Sequence, residues 1–313
     1  MTIVDGPVAS QLDPNTALGR VISTVVASWP EHEKLLNTSL RVRSPRVLQQ
    51  SEHVAEMIEK LADGGLEAYV RGYRWMCDMV RAEELEFLRS GHYQLSSFAE
   101  AFATVYSNDE VMAKYMDGLL LSQVLWSNHA LMLNFYIDAF LANARRDGRH
   151  LEIGPGHGLL LALAAREGRF RELTGWDVSE TSLQHTAKCL KRLGVTTPTR
   201  LQEQNVFALG DVSEQFDSVV ISEVCEHLER PVEALVALKK VMAPGGRIFV
   251  NVPINAPAID HIYLLRTPEE VVDLVRQAGF GIETTCIAPA AGYSEAVARK
   301  RNATISVGVI GVA

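Results

Sequence analysis

Cysteine is scarce in this chain, and long apolar runs are missing. The four cysteines, Cys77, Cys189, Cys225 and Cys286, stand singly, with no CxxC pair. That excludes a disulfide framework or a cysteine zinc knuckle and leaves reduced thiols as the expectation. No apolar stretch approaches the roughly 18 residues a membrane helix needs, so no membrane partner is expected. Met1 to Pro7 carry neither the positive charge nor the apolar core of a secretory signal, which makes the cytoplasm the expected location. Positive charge is also in deficit: 30 Lys and Arg face 38 Asp and Glu, for a net charge of −8. Such a balance repels a polyanion unless a local basic stripe overrides it, so no nucleic-acid partner is expected. The best basic cluster, Arg41, Arg43 and Arg46, is short and lacks interleaved aromatics. It reads as a solvated face, or as the approach to a helix start at Pro45.

What is present is an ordinary globular composition, 47% hydrophobic and 22% charged over 313 residues. That length suits one large domain with an extension, or two domains of common size. From about Asn15 to Ala144 apolar residues recur at three- and four-residue spacing, the pattern of an all-α region. Helices are predicted over Val47–Leu61, Leu66–Leu88, Phe98–Val105, Asp109–Leu125 and Ser127–Ala144, with breaks at Asp63-Gly64-Gly65, Ser90-Gly91 and Ser107-Asn108.

At Arg149 the pattern changes to short apolar runs alternating with helical stretches, as in a parallel sheet covered on both faces. Strands are expected near 149–153, 171–177, 199–204, 216–221 and 246–252, and helices near 158–167, 180–193 and 231–242. Thr267-Pro-Glu-Glu270 reads as a capping box opening a helix to Ala278. Two last apolar stretches, Gly281–Ile287 and Ala303–Val312, read as a closing strand pair. The expected fold is therefore α/β, a doubly wound, mostly parallel seven-stranded sheet, preceded by an all-α domain. The boundary falls between residues 147 and 148, with the helical part expected to form a substrate lid and the surface of a possible homodimer.

The sharpest local signal is His150-Leu-Glu-Ile-Gly-Pro-Gly-His-Gly158, a strand running through a glycine loop into an apolar helix. Glycines at three alternate positions let the backbone take positive φ and let a ligand approach without a Cβ in the way. A dinucleotide site prefers G-x-G-x-x-G facing a pyrophosphate. Here the spacing is G-x-G-x-G and Glu152 precedes it, a carboxylate that would repel a pyrophosphate but suits a cationic sulfonium and an α-amino group.

This segment resembles the first motif of the class I S-adenosylmethionine-dependent methyltransferases, and the resemblance extends over about residues 149–287. It implies a Rossmann-like fold and S-adenosyl-L-methionine as cofactor, held by Glu152, Gly154, Gly156 and Gly158. Asp177, closing the second strand, matches the acidic residue that takes both ribose hydroxyls, with Val178 beside it. Asn205 stands where the family often has an aspartate near the adenine amino group. Val206 and Trp176 either flank the adenine or belong to the core. Phe216-Asp-Ser-Val219 resembles the family's fourth strand, which ends at Ser222 near the cofactor, and Ala243-Pro-Gly-Gly246 resembles the turn before the fifth.

After the fourth strand comes Glu223-Val-Cys-Glu226-His227. If helical, it puts Glu223, Glu226 and His227 on one face, with Cys225 pointing away. His261, in the loop after the fifth strand, would arrive at the same carboxyl edge of the sheet. Two carboxylates and two imidazoles suit Mg²⁺, Mn²⁺, Fe²⁺ or Zn²⁺. The resemblance points both ways here. RNA 3′-end 2′-O-methyltransferases and some 2-oxo-acid C-methyltransferases hold a metal near this position, whereas many metal-free relatives carry a similar stretch. Without a metal, His227 or His261 is the candidate base. His157 reads as decoration of the loop, and His53, His92, His129 and His185 as surface or core residues.

The resemblance implies a methyltransferase of secondary metabolism acting on a small molecule, with metal-assisted C-methylation of a 2-oxo acid as its sharpest form. O- or N-methylation without metal, an RNA 3′-end 2′-O-methyltransferase and a non-catalytic scaffold subunit are the alternatives. Tyr69, Tyr73, Trp75, Tyr106, Tyr115, Trp126, Phe135 and Tyr136 are core or pocket, with Tyr115, Trp126 and His129 the preferred pocket wall. Arg71, Arg74 and Arg81 either bind a substrate carboxylate or face solvent.

Overall fold

The computed structural model describes residues 8–210, 212 and 214–313, so the expectation resting on Met1 to Pro7 lies outside the described residues. The helical half contains α1 (Ala17–Ser28), α2 (Glu33–Arg41), α3 (Pro45–Ala62), α4 (Leu66–Ser90), α5 (Phe98–Ala101), α6 (Asp109–Leu125) and α7 (Ser127–Phe135). Helix α3 shows how sequence sets these elements. Ser44 accepts the Val47 N–H, Pro45 occupies the first turn, Val47, Val54, Ile58 and Leu61 make the buried stripe, and Asp63 ends the helix in left-handed conformation. Helices α1 and α2 precede the first segment predicted from periodicity, yet each buries a stripe of its own.

Two helices end in π turns, Phe102–Tyr106 after α5 and Tyr136–Phe140 after α7, where unbroken helix was expected. Close contact of α4 with α6 depends on two glycines. A Cβ on Gly72 would meet Lys114 O at 3.0 Å, and one on Gly118 would meet Met76 Cβ at 2.8 Å. Arg43 contradicts the solvated-face reading. It is fully buried, and its guanidinium donates to Ser39 O, Ser39 Oγ and Ser51 Oγ.

The second half forms one sheet of β1 (Gly148–Ile153), β2 (Phe170–Asp177), β3 (Thr199–Glu203), β4 (Phe216–Ser222), β5 (Met242–Ile254), β6 (Gly281–Pro289) and β7 (Ile305–Val312). Their order is β3-β2-β1-β4-β5-β7-β6, with β7 antiparallel to both neighbours, which is the expected seven-stranded, mostly parallel arrangement. Helices α8 (Leu159–Arg166), α9 (Glu180–Arg192), α10 (Pro231–Lys240) and α11 (Pro268–Gln277) make the crossovers. A short α12 (Glu295–Arg301), absent from the sequence expectation, lies between β6 and β7. At α11 Thr267 accepts the Glu270 N–H, but the Glu270 carboxylate reaches Arg266 N instead of the cap residue, so the box is half formed. The complete box is at Ser97 and Glu100, heading α5.

The sheet order reverses between β1 and β4, and ligands bind at the carboxyl ends of strands beside such a switch point. The helical half is packed onto this sheet by shared apolar surface. Tyr136 and Phe140 stack on each other, and both lie against Phe249 of β5, with ring centroids 5.1 and 5.6 Å from it. Arg247 donates to Phe140 O and Ala139 O while pairing with Glu283, and Asn128 donates to Ser306 Oγ.

Candidate active site

The turn from β1 into α8 has the conformation that its glycines suggest. Gly154, Gly156 and Gly158 have φ of +64°, +52° and +78°, the region an L side chain avoids. A Cβ on Gly154 would lie 2.7 Å from Val224 Cγ2, and one on Gly156 would face Met116 of α6. Glu152 is buried at the end of β1, and its Oε2 has no hydrogen-bond partner among the described residues. Burial, reinforced by Asp177, holds its carboxyl well above the ordinary glutamate range. An orphaned acidic oxygen beside a loop stripped of side chains fits a cofactor with a cationic amino group. Gly158 is the exception to the expected contacts. It faces Thr186 and Cys189 of α9 and starts α8, so it shapes the loop without lining the cavity.

Glu152, Gly154, Gly156 and Asp177 line one cavity of about 1360 Å³, and so do Val178, Asn205, Val206 and Ser222. Asp177 is oriented from below: its two oxygens accept the Ser179 N–H at 2.9 Å and the Ser182 hydroxyl at 2.5 Å. Burial raises its pKa and these hydrogen bonds oppose the rise. Asn205 already uses its side-chain oxygen on Phe207 N, forming a tight local turn. Val178 is exposed and Val206 buried, while Trp176 packs in the core, edge-on to Phe216 with its indole N–H on Gln202, and also lines the cavity.

The stretch after β4 departs from the helical expectation. Glu223 has φ +55°, a left-handed residue that ends the strand, and only Cys225–His227 form a single 3₁₀ turn. Glu223 is thereby turned toward β5, where its carboxylate accepts from Asn251 Nδ2 at 2.8 Å. The ligating atoms that lie within 4.8 Å of one another belong to Glu226, His227 and His261, without Glu223. The expected four-residue set is reduced to three. Cys225 is buried in the core, as expected of a side chain pointing away.

Hydrogen bonds fix how this trio presents itself. His261 Nδ1 donates to Ala256 O at 2.6 Å, and His227 Nδ1 to Asp260 O at 3.0 Å. Each ring therefore keeps Nε2 free, as metal-binding histidines do when their other nitrogen is held by a carbonyl. Burial lowers the His261 pKa to about 4, so its ring is neutral at neutral pH. Glu226 is fully buried, and neither of its carboxylate oxygens has a hydrogen-bond partner among the described residues. Burial, with the Glu223 charge nearby, drives its pKa well up. An orphaned carboxylate facing two free imidazole nitrogens is a donor set that fits a divalent cation.

The helical half closes the cavity opposite the glycine loop. Tyr106, Tyr115, Trp126 and Tyr136 line it together with His129 and Arg81, whereas Tyr69, Tyr73, Trp75, Phe135, Arg71 and Arg74 do not. His129 is buried against Ser122 Oγ and Trp126, and burial lowers its pKa to about 4. Single-ligand pockets run to about 1,000 Å³, so this cavity has room for a cofactor and an acceptor together. Sequence reasoning missed Asp260, Asn251 and Met116, all in the cavity wall. Asp260 alone had a signal, its place beside His261.

Residues 151–248 match the family model for a methyltransferase domain. In this segment the chain is similar to methyltransferases. It is 31% identical over 150 residues to the ubiquinone biosynthesis O-methyltransferase of Roseobacter denitrificans, an alignment covering 42% of this chain and 59% of that one. The corresponding enzyme of Alkalilimnicola ehrlichii is 30% identical over 128 residues, covering 41% of this chain and 50% of the relative. The chain thus spans 50 to 59% of the length of these relatives. In fold it is similar to the pyocyanin biosynthetic protein PhzM, with TM-score 0.53 and 16% identity over 78% of this chain and 72% of that one. An O-methyltransferase family protein from Burkholderia thailandensis gives TM-score 0.52 at 15% identity, over 78% of this chain and 71% of that one. No helix among the described residues is long and apolar enough to cross a membrane.

Proposed function

We propose that the protein transfers the methyl group of S-adenosyl-L-methionine to a small molecule bound between the glycine loop and the helical half. The observation that carries this reading is a single cavity lined at once by Glu152, Gly154 and Asp177, by Glu226, His227 and His261, and by Tyr106 and Tyr115 of the helical half. Methyl transfer is an in-line displacement at the sulfonium carbon, so the protein's tasks are alignment and control of the acceptor's proton. Glu152 and Asp177 anchor the two ends of the cofactor, and the glycines let it lie against the loop. The aromatic wall keeps water from the methyl group.

The finer reading is metal-assisted. Glu226, His227 and His261 would hold a divalent ion, which when bound supplies Lewis acidity toward an acceptor oxygen, as in C-methylation of a 2-oxo acid. The absence, among the described residues, of hydrogen-bond donors to the Glu226 carboxylate supports this role. Without a metal, the free Nε2 of His227 is the base for an O- or N-methylation. The net charge of −8 disfavours the RNA-end reading.

Calorimetry with S-adenosyl-L-methionine tests the coarse reading; absence of binding would overturn it and revive a scaffold role. Elemental analysis of purified protein tests the fine one. One equivalent of metal, lost in both Glu226→Ala and His261→Ala, is the expected result, and a metal-free wild type active on its acceptor removes the metal.

A further inference from the structure

Asp260 has no part in the activity described so far, yet it makes more connections in the site than any ligand of the trio. The residue is 2% exposed, and its carboxylate accepts the Tyr115 hydroxyl on Oδ1 and the Tyr106 hydroxyl on Oδ2, both at 3.1 Å. Its main-chain oxygen accepts the His227 Nδ1–H at 3.0 Å. Tyr106 Oη also lies 3.1 Å from His227 Nδ1, so the tyrosine bridges the imidazole and the carboxylate. The loop bearing Asp260 is fastened a second time, because Ile262 N and Tyr263 N both donate to Glu226 O at 2.9 and 2.8 Å.

The two tyrosines come from different helical elements. Tyr106 ends the π turn after α5, and Tyr115 lies on α6, held close to α4 by the Gly72 and Gly118 contacts. One carboxylate thus collects two hydroxyls from the helical half and is one residue from His261 and one carbonyl from His227. Two neutral hydroxyls could be satisfied more cheaply by water at the cavity wall. The buried carboxylate with its two donors does something water cannot: it anchors the loop whose Asp260 carbonyl, accepting the His227 Nδ1–H, fixes the ring's tautomer and angle.

We propose that Asp260 is a positioning residue. Its carboxylate clamps Tyr106 and Tyr115 onto the site, and the clamped loop holds His227 with Nδ1 protonated and Nε2 facing Glu226 and His261. For its metal consequences, this role rests on the metal reading above; for the histidine geometry it does not.

The test uses Asp260→Asn, which replaces one carboxylate acceptor by an amide donor, and the double variant Tyr106→Phe/Tyr115→Phe, which removes both hydrogen bonds from the other side together with the Tyr106 contact to His227. Three measurements are made on the full chain: S-adenosyl-L-methionine affinity, Zn²⁺ affinity by calorimetry, and the long-range ¹H–¹⁵N spectrum of ¹⁵N-histidine-labelled, metal-free protein. The His227 signals are assigned by their loss in His227→Gln. The wild type is expected to show His227 as one tautomer, protonated on Nδ1. Both variants are expected to show mixed tautomers and Zn²⁺ binding weakened about 10- to 100-fold, with cofactor affinity within about twofold as the sign of an intact fold. Unchanged Zn²⁺ affinity and an unchanged histidine spectrum in the double variant overturn the proposal. A wild type that binds no Zn²⁺ overturns the metal reading alone, and the histidine spectrum then decides the role of Asp260 by itself.

Discussion

Glu226 Oε1 lies 3.7 Å from Nε2 of His227, and no described donor reaches either carboxylate oxygen. Burial raises the pKa of this carboxyl, so the folded, metal-free protein must either desolvate its charge or hold it protonated, and an isosteric amide avoids that cost. Glu226→Gln is therefore expected to stabilise the metal-free protein by about 1–3 kcal/mol, read from denaturant midpoints, and to abolish Zn²⁺ binding. Loss of stability in the variant would show that the carboxylate is already satisfied in the free protein.

The glycine loop offers a test of cofactor contact. Gly154→Ala places a Cβ 2.7 Å from Val224 Cγ2 at a φ of +64°, a conformation costing an L residue about 1–2 kcal/mol. Affinity for S-adenosyl-L-methionine is expected to fall at least about tenfold, an energy of about 1.4 kcal/mol. Adding Val224→Ala removes the clash and leaves the backbone strain, so calorimetry should find only part of the affinity restored.

Acid stability follows from buried imidazoles. Burial lowers the pKa of His150 to about 3, and those of His32 and His129 to about 4, from 6.5. Because the folded state resists the proton, the unfolded chain binds more protons below pH 6.5. Stability is then lost as pH falls from there toward the folded values, at up to about 1.4 kcal/mol per pH unit for each histidine. His150 sits on Ser218 Oγ and against Phe170 and does not line the cavity. His150→Gln should flatten the slope of unfolding free energy between pH 6 and 4 by about one such increment, whatever it does to stability at pH 7.

Arg43 makes a contrasting pair of substitutions informative. Its guanidinium is paired with serines alone, and burial lowers its pKa to about 10. Ser39 and Ser51 keep acceptors of their own in Leu125 O and Val47 O once the arginine is gone. Arg43→Met, similar in length, is expected to change stability by no more than about 1 kcal/mol. Arg43→Ala, which leaves a cavity, is expected to cost about 2–5 kcal/mol in thermal or chemical unfolding.

Arg43 also shows where sequence reasoning stopped. Beside Arg41 and Arg46 it looked like part of a solvated face, and nothing local distinguished it. Its burial depends on α3 and α6 folding over it, through Ser51 and through Ser39, whose hydroxyl bonds Leu125 O. The helices α1 and α2 and the short α12 escaped for a related reason: their apolar stripes are brief and become cores only once a partner is present.

By itself the sequence determined the sheet and the cofactor loop, because both are written in local constraints. Alternating apolar runs can be buried only as strands between helices, and positive φ at three alternate positions after a strand requires glycine. The trio of Glu226, His227 and His261 was legible as residue types in the right neighbourhood, but the membership of Glu223 was not. A left-handed residue at the end of β4 turned Glu223 to Asn251, and that turn follows from β5 lying alongside. Which aromatics would be wall and which core, and the gathering of Tyr106, Tyr115 and His227 on Asp260, belonged to the tertiary structure alone. Those contacts span 33 to 154 residues of sequence, and only the packing of helices onto the sheet brings them within hydrogen-bond reach.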